Sequence, residues 1–198
     1  MKGAASRHLA RQAAQAAVVA GSSRQSTGQG QSMGDRQFMR QMATVLSIDA
    51  VGYSRLMAED DEAALDAFHE RSALITAVCE QHRGRMFGKA GDSLMAEFGN
   101  PVDAVRAAVD FQARLEELND AAPDNRRMAF RVGINTGDVI VDGDLLFGHD
   151  VNIAARLQER APANGVVISQ TTFIQVAASR RGTQPSTTAS KWCVSPHW

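Results

Sequence analysis

Cysteine is nearly absent from this 198-residue chain, which carries only Cys79 and Cys193. Two thiols so far apart, one of them on a predicted helix, make no disulfide framework, and they suit a reducing cytoplasm. Aromatic residues are scarce at 6%. A core must therefore be built from Ala, Val, Leu and Ile, and the 44% hydrophobic content is enough for one. A surplus of one charge is also missing. The formal net charge is −1, which gives no global pull toward nucleic acid or an anionic membrane. No apolar run approaches the roughly 18 residues that a membrane span needs. Any anionic ligand has to be held by a local site.

Acidic residues are missing from positions 1–34, where Ala-rich sequence gives way to Gly, Ser and Gln. This stretch reads as a disordered leader of about 1–40, or as translation assigned upstream of a start at Met33. A signal peptide with Ala13 to Ala20 as its apolar region is the weaker alternative, because Gln15 interrupts it.

The folded part is expected over 41–176. Thr44 to Asp49 is a short strand-like run ending in an acid. Asp60 to Gln81 has helical spacing, with Leu65, Phe68, Ile75 and Cys79 on one stripe. The acids 59–62 favour the start of that helix through its dipole, a better reading than a metal cluster, and Gly84 can stop it. Arg85 to Lys89 and Leu94 to Phe98 form a hairpin around Ala90-Gly91-Asp92-Ser93. Asn100-Pro101 opens a second helix running to about Leu118, with Val105, Ala108, Val109, Leu115 and Leu118 inward. Met128 to Asn135 and Val139 to Val141 read as strands, Asp150 to Arg160 as a helix, and Val166 to Ser169 as a strand. The order is β-α-β-β-α-β with additions, an α+β ferredoxin-like sandwich of sheet and helices. That arrangement hosts many functions, so the site must carry the argument.

Three features bear chemistry. In Ile48 to Ser54 an acid ends a strand, and a glycine-containing segment leads toward a helix. The backbone amides of Ala50, Val51, Gly52, Tyr53 and Ser54 can point at a phosphate chain, and Asp49 can hold a divalent cation upon it. Asp92 lies in the hairpin turn. If the first strand adjoins the hairpin, Asp49 and Asp92 approach one another and repel unless a cation separates them. Mg²⁺ accepts such a pair together with phosphate oxygens. A lone Gly-Asp is otherwise an ordinary turn signal. Asn152 and Arg156 fall four apart on one helix face. They are either a polar pair aimed into a cleft or a solvated surface pair. His69 and His149 read as surface histidines, and Arg55 stays unassigned.

Together TVLSIDAVGYSRLM, GKAGDSLMAEF, FRVGINTGDVIV, FGHDVNIAARLQ and NGVVISQTTF, in this order and spacing, resemble the class III adenylate and guanylate cyclase catalytic domain from about Thr44 to Gln175. The resemblance implies conversion of ATP, with GTP second, to a 3′,5′-cyclic nucleotide and pyrophosphate in intracellular signalling. Asp49 and Asp92 would hold two Mg²⁺ or Mn²⁺ ions. Asn152 would orient the ribose, and Arg156 would stabilise charge growing on the α-phosphate. The family supplies that last pair from the partner subunit, so a head-to-tail homodimer is implied.

Three departures set this sequence apart from the family pattern. Gly88 stands where active members carry the base-reading Lys or Glu, and Lys89 next to it should face the other way unless a bulge intervenes. Leu145 stands at the second base-reading position, with Asp144 displaced by one. Residues 177–198 read as an irregular tail without strand period. The family's terminal strands and triphosphate lysine are expected to be missing, Lys191 having no matching context. These departures support an alternative, a degenerate homologue that binds nucleotide or serves as a dimerisation or regulatory module.

Overall fold

The computed structural model describes residues 38–179 and a short strand at 192–195. The expected leader lies almost wholly outside the described residues, as does most of the expected tail, including Lys191.

Strand β1 spans Met39–Ala50, starting earlier than its apolar pattern. Its first residues are exposed and pair only with β4, whereas β3 joins from Thr44 onward. Alternation becomes legible only where both neighbours are present. A short helix, α1 (Tyr53–Glu59), follows. The long helix α2 (Asp61–Gln81) begins where the Asp60 carboxylate accepts the Ala63 amide at 3.0 Å, with Asp61 and Glu62 in its first turn. The acidic run therefore caps a helix.

Phe68, Ile75 and Cys79 are buried as their spacing predicts, but Leu65 is exposed, and Ala64 and Arg71 occupy the stripe instead. Arg83 takes the left-handed position after α2, at φ 64°. Gly84, expected to stop the helix, instead opens β2, and its missing side chain makes room for the Phe98 ring.

Cys79 is fully buried, and that burial pushes its thiol up to about 12. In a Cys193→Ser background, DTNB should leave native protein unlabelled and react at once after unfolding. Rapid native labelling would contradict this packing.

The hairpin β2 (Gly84–Ala90) and β3 (Ser93–Phe98) is followed by α3 (Pro101–Ala121). Asn100 caps α3 by accepting the Val102 amide at 2.9 Å. Ala104, Ala108, Phe111 and Leu115 face inward, while Val109 faces out. Strand β4 is one continuous element, Phe130–Asp142, where the sequence suggests two. Antiparallel pairing with β1 along nearly its whole length carries it through Gly137. It turns at Gly143, φ 60°, into β5 (Leu145–Phe147). Then come α4 (His149–Arg160), β6 (Val166–Ser169), α5 (Gln170–Ser179) and β7 (Trp192–Ser195).

The sheet order is β2-β3-β1-β4-β6-β7, with β5 on β4. Its first four strands are antiparallel in the ferredoxin-like order, and β6 and β7 add in parallel. A strand thus lies within the tail that shows no strand period. Four residues are too few for alternation to register, and pairing with β6 defines the strand.

Parity on β1 separates two cores. Leu46, Ile48 and Ala50 pack with Phe68, Ile75, Ala104 and Phe111 of α2 and α3. Ala43 and Val45 pack on the other face with Phe87, Val139, Leu146 and Ala154 of α4. Each fully buried Phe, Ile or Leu contributes about 1.5–3 kcal/mol. On the α4 face the sheet curls, so that Arg85 of β2 donates to the Asp144 carbonyl at 2.8 Å. Among the described residues no helix is long and apolar enough to cross a membrane.

Candidate active site

Asp49 sits at the end of β1, directly opposite Ser93 on β3 and Arg131 on β4. That register makes the local chemistry. Ser93 Oγ donates to Asp49 Oδ1 at 2.8 Å, and Arg131 donates to Oδ2 through Nη2 at 2.8 Å and Nε at 3.2 Å. Asp92 adjoins Ser93 in the turn, where Gly91 at φ 59° allows the tight reversal. The Ala50 amide reaches the Asp92 carbonyl at 3.3 Å. Burial pushes the Asp92 carboxyl above the ordinary range, the neighbouring Asp49 carboxylate adds to this, and Arg131 opposes it. The register places Asp92 one residue from the cross-strand partner of Asp49, at the same end of the sheet.

Their mutual repulsion suits a divalent cation. Among the described residues no group of three or more His, Cys, Asp or Glu could hold a metal ion. A cation here would complete its shell with substrate and water oxygens, as Mg²⁺ commonly does.

Beyond Asp49 the chain turns into α1 through Gly52, at φ 73° and without a side-chain cap. Ala50 and Val51 already spend their amides on the Asp92 and Ala129 carbonyls. Of the five residues expected to face phosphate, only Gly52, Tyr53 and Ser54 remain candidates. Arg55 is exposed and pairs with Glu59 at 2.8 Å.

The other two candidate residues lie on α4. Ala154 and Leu157 are buried against the sheet, while Asn152 and Arg156 are exposed, their side chains bonding no described residue. No hydrogen bond or ion pair links them to Asp49 or Asp92 of the same chain. His69 and His149 are exposed, as expected.

Helix α4 lies flush on β4 because two glycines remove side chains beneath it. A Cβ on Gly133 would collide with Ala154 O and Gln158 N, and one on Gly137 with the Asp150 carboxylate. The backbone of α4 cannot yield locally, so Gly133→Ala should cost about 1–3 kcal/mol or more. The melting temperature should fall by several degrees; an unchanged melt would contradict this seating.

The base-reading positions behave differently. The β2–β3 register shifts between Met86 and Gly88. Gly88 then pairs with Met95, and Lys89 with Leu94 of the α2 core. Lys89 accordingly lies over the Phe68 ring at 5.0 Å, on the face away from Asp49. The bulge does not rescue it. Phe87, the extra residue, packs into the α4-side core instead. Asp144 is exposed in the β4–β5 turn, and Leu145 pairs with Asp142. An open groove of about 720 Å³ between α2 and β2 includes Gly88 and Lys89 but neither Asp49 nor Asp92. Sequence reading missed Arg131 and Ser93, whose contacts depend on cross-strand register, and Asn135 and Asp150, whose contacts depend on how α4 lies on β4.

The model of the adenylate and guanylate cyclase catalytic domain matches residues 38–186. A Rhizobium meliloti (strain 1021) protein named "Putative adenylate cyclase 3" is 38% identical over 138 residues, 69% of this chain and 24% of that protein. The chain thus spans about a quarter of that relative's length. The Silicibacter pomeroyi adenylate/guanylate cyclase/hydrolase structure aligns with TM-score 0.66 and 29% identity, covering 73% of this chain and 84% of that one. The adenylyl cyclase CyaB from P. aeruginosa aligns with TM-score 0.64 and 23% identity, covering 72% and 83%, a likeness of fold. With its carboxylate pair and its helix of Asn152 and Arg156 laid out on this fold, the chain belongs to the adenylate and guanylate cyclase catalytic domain family.

Proposed function

We propose that this protein is a nucleotide cyclase that converts ATP, with GTP second, to the 3′,5′-cyclic nucleotide and pyrophosphate at a homodimer interface. The observation that supports this reading is the register that sets Asp49 opposite Ser93, next to Asp92 in the hairpin turn, beside the uncapped start of α1. Divalent Mg²⁺ or Mn²⁺, two ions per site and held by these carboxylates, would neutralise the triphosphate and acidify the ribose 3′-hydroxyl.

The chain's own groups supply the rest. The amides of Gly52, Tyr53 and Ser54 cradle the β- and γ-phosphates. Asn152 of one protomer holds the ribose so that its 3′-oxygen lies in line with the α-phosphorus of the nucleotide bound to the other. As the new P–O bond forms and the bond to pyrophosphate breaks, charge grows on the α-phosphate oxygens, and Arg156 meets it with a fixed planar donor. The 3′ proton leaves to solvent.

The test is direct. Purified chain with Mn²⁺ and ATP, or GTP, should yield cyclic nucleotide by chromatography, with the rate per chain rising as dilute protein is concentrated. A specific observation favours a second reading. Lys89 faces the α2 core and Asp144 lies exposed in a turn, so no polar side chain stands at either base-reading position. A degenerate homologue would bind nucleotide in calorimetry and make no product.

A further inference from the structure

Asp150 occupies the first turn of α4, where an acid ordinarily serves its own helix. Here it serves the sheet. Its Oδ1 accepts Asn135 Nδ2 at 2.9 Å, and its Oδ2 accepts the Asp138 amide at 3.1 Å. The same Asn135 Nδ2 also donates to the Asp150 carbonyl at 3.0 Å. The residue at the helix N-cap, Gly148, contributes no side-chain cap. Both carboxylate oxygens are therefore spent on β4. Asn135 is buried, at 3% exposure, and Gly137 leaves the space in which the carboxylate sits.

The two glycines let α4 lie close to β4, but a smooth contact does not fix rotation or slide. Asp150 fixes both. It lies two residues before Asn152 and six before Arg156, on the same short helix. A slide of one residue is about 1.5 Å, and a turn of one residue is about 100°. Either would carry the Arg156 guanidinium out of reach of a defined oxygen, and a misplacement of about 1 Å can cost about 100-fold in rate.

From this geometry we infer that Asp150 is a positioning residue that sets the register of α4 on β4, and with it the aim of Asn152 and Arg156. The inference rests on the cyclase reading for its kinetic consequence, but not for its structural one. Asp150→Ala should lower kcat about 100-fold and move KM less than threefold, with a cooperative thermal melt retained. Asp150→Asn, which keeps one acceptor, should fall between. Mixing Asp150→Ala chains with Asp49→Asn chains should restore activity, because one site of each mixed dimer is intact. Mixing with Arg156→Ala chains should restore none. The reverse complementation pattern, or an unchanged kcat, overturns the inference.

Amide hydrogen exchange separates this outcome from a failure of the cyclase reading. In Asp150→Ala the amides of α4 from Asn152 to Arg156 should exchange at least about tenfold faster, while those of β1 stay protected. That readout needs no turnover. Unchanged exchange in α4 overturns the inference even if the wild-type chain makes no cyclic product.

Discussion

Asp49→Asn is expected to lower cyclic nucleotide formation by about three orders of magnitude, close to 4 kcal/mol of lost transition-state stabilisation. The substitution keeps the size and one oxygen, so Ser93 Oγ still has an acceptor. It removes the anionic oxygen that Arg131 now holds and that a cation on the triphosphate would share. Folding should survive, because the Arg131 side chain is 31% exposed and can turn to water. Asp49 itself is buried, so the melting temperature should fall while the transition stays cooperative. Asp92→Asn should also cripple turnover, with the opposite effect on the metal-free fold. The Asp92 carboxyl is pushed up by burial and by Asp49, so its charge opposes folding at neutral pH, and removing it should raise or preserve the melting temperature. Product chromatography with Mn²⁺ and a metal-free melt for both variants test this pair. Retained activity in Asp49→Asn would remove the carboxylates from the mechanism.

The sequence exposes what is local. Asp60 before α2 and Asn100-Pro101 before α3 are cap signals that need no partner, and the Gly91-Asp92 turn announces its hairpin. The βαββαβ order follows from these. The positions of the two candidate carboxylates are legible for the same reason, since one ends a strand and the other sits in a turn. What stayed hidden depends on pairing across long separations. Arg131 lies 82 residues from Asp49, and only the register of β4 on β1 puts the two side by side. The bulge beside Phe87 cannot be read from β2 alone, because it is defined by the count of residues on β3. Gly137 looks like a break in a strand, yet it is the seat of the Asp150 carboxylate, a role visible only once α4 is laid over it. Leu65 and Val109 fit their helical stripes by hydropathy, but both are exposed while Ala64, Ala108 and Phe111 are buried.

Arg156→Ala should cost about 100- to 1,000-fold in kcat, the range seen when one preorganised donor to developing charge is removed, and should barely move KM. The more telling result is what the partner chain can do. Along the α4 face of β4, Arg131 marks the level of Asp49, and Gly137 marks the level of Asp150. Six residues of strand separate them, about 20 Å. Asn152 therefore begins far from the carboxylates of its own chain, whereas the turn that carries Arg156 lies over Gly133, nearer Arg131, and both side chains stand exposed and unbonded among the described residues. A two-fold related copy can bring them to the other chain's Asp49 and Asp92, giving two equivalent sites that each draw on both protomers. Arg156→Ala and Asp49→Asn chains, each inactive alone, should recover roughly a quarter of wild-type activity when co-refolded in equal amounts, because half of randomly paired dimers are mixed and each holds one complete site. If the mixture stays as inactive as its components while the wild-type chain turns over, Asn152 and Arg156 serve their own protomer, and the shared site is wrong.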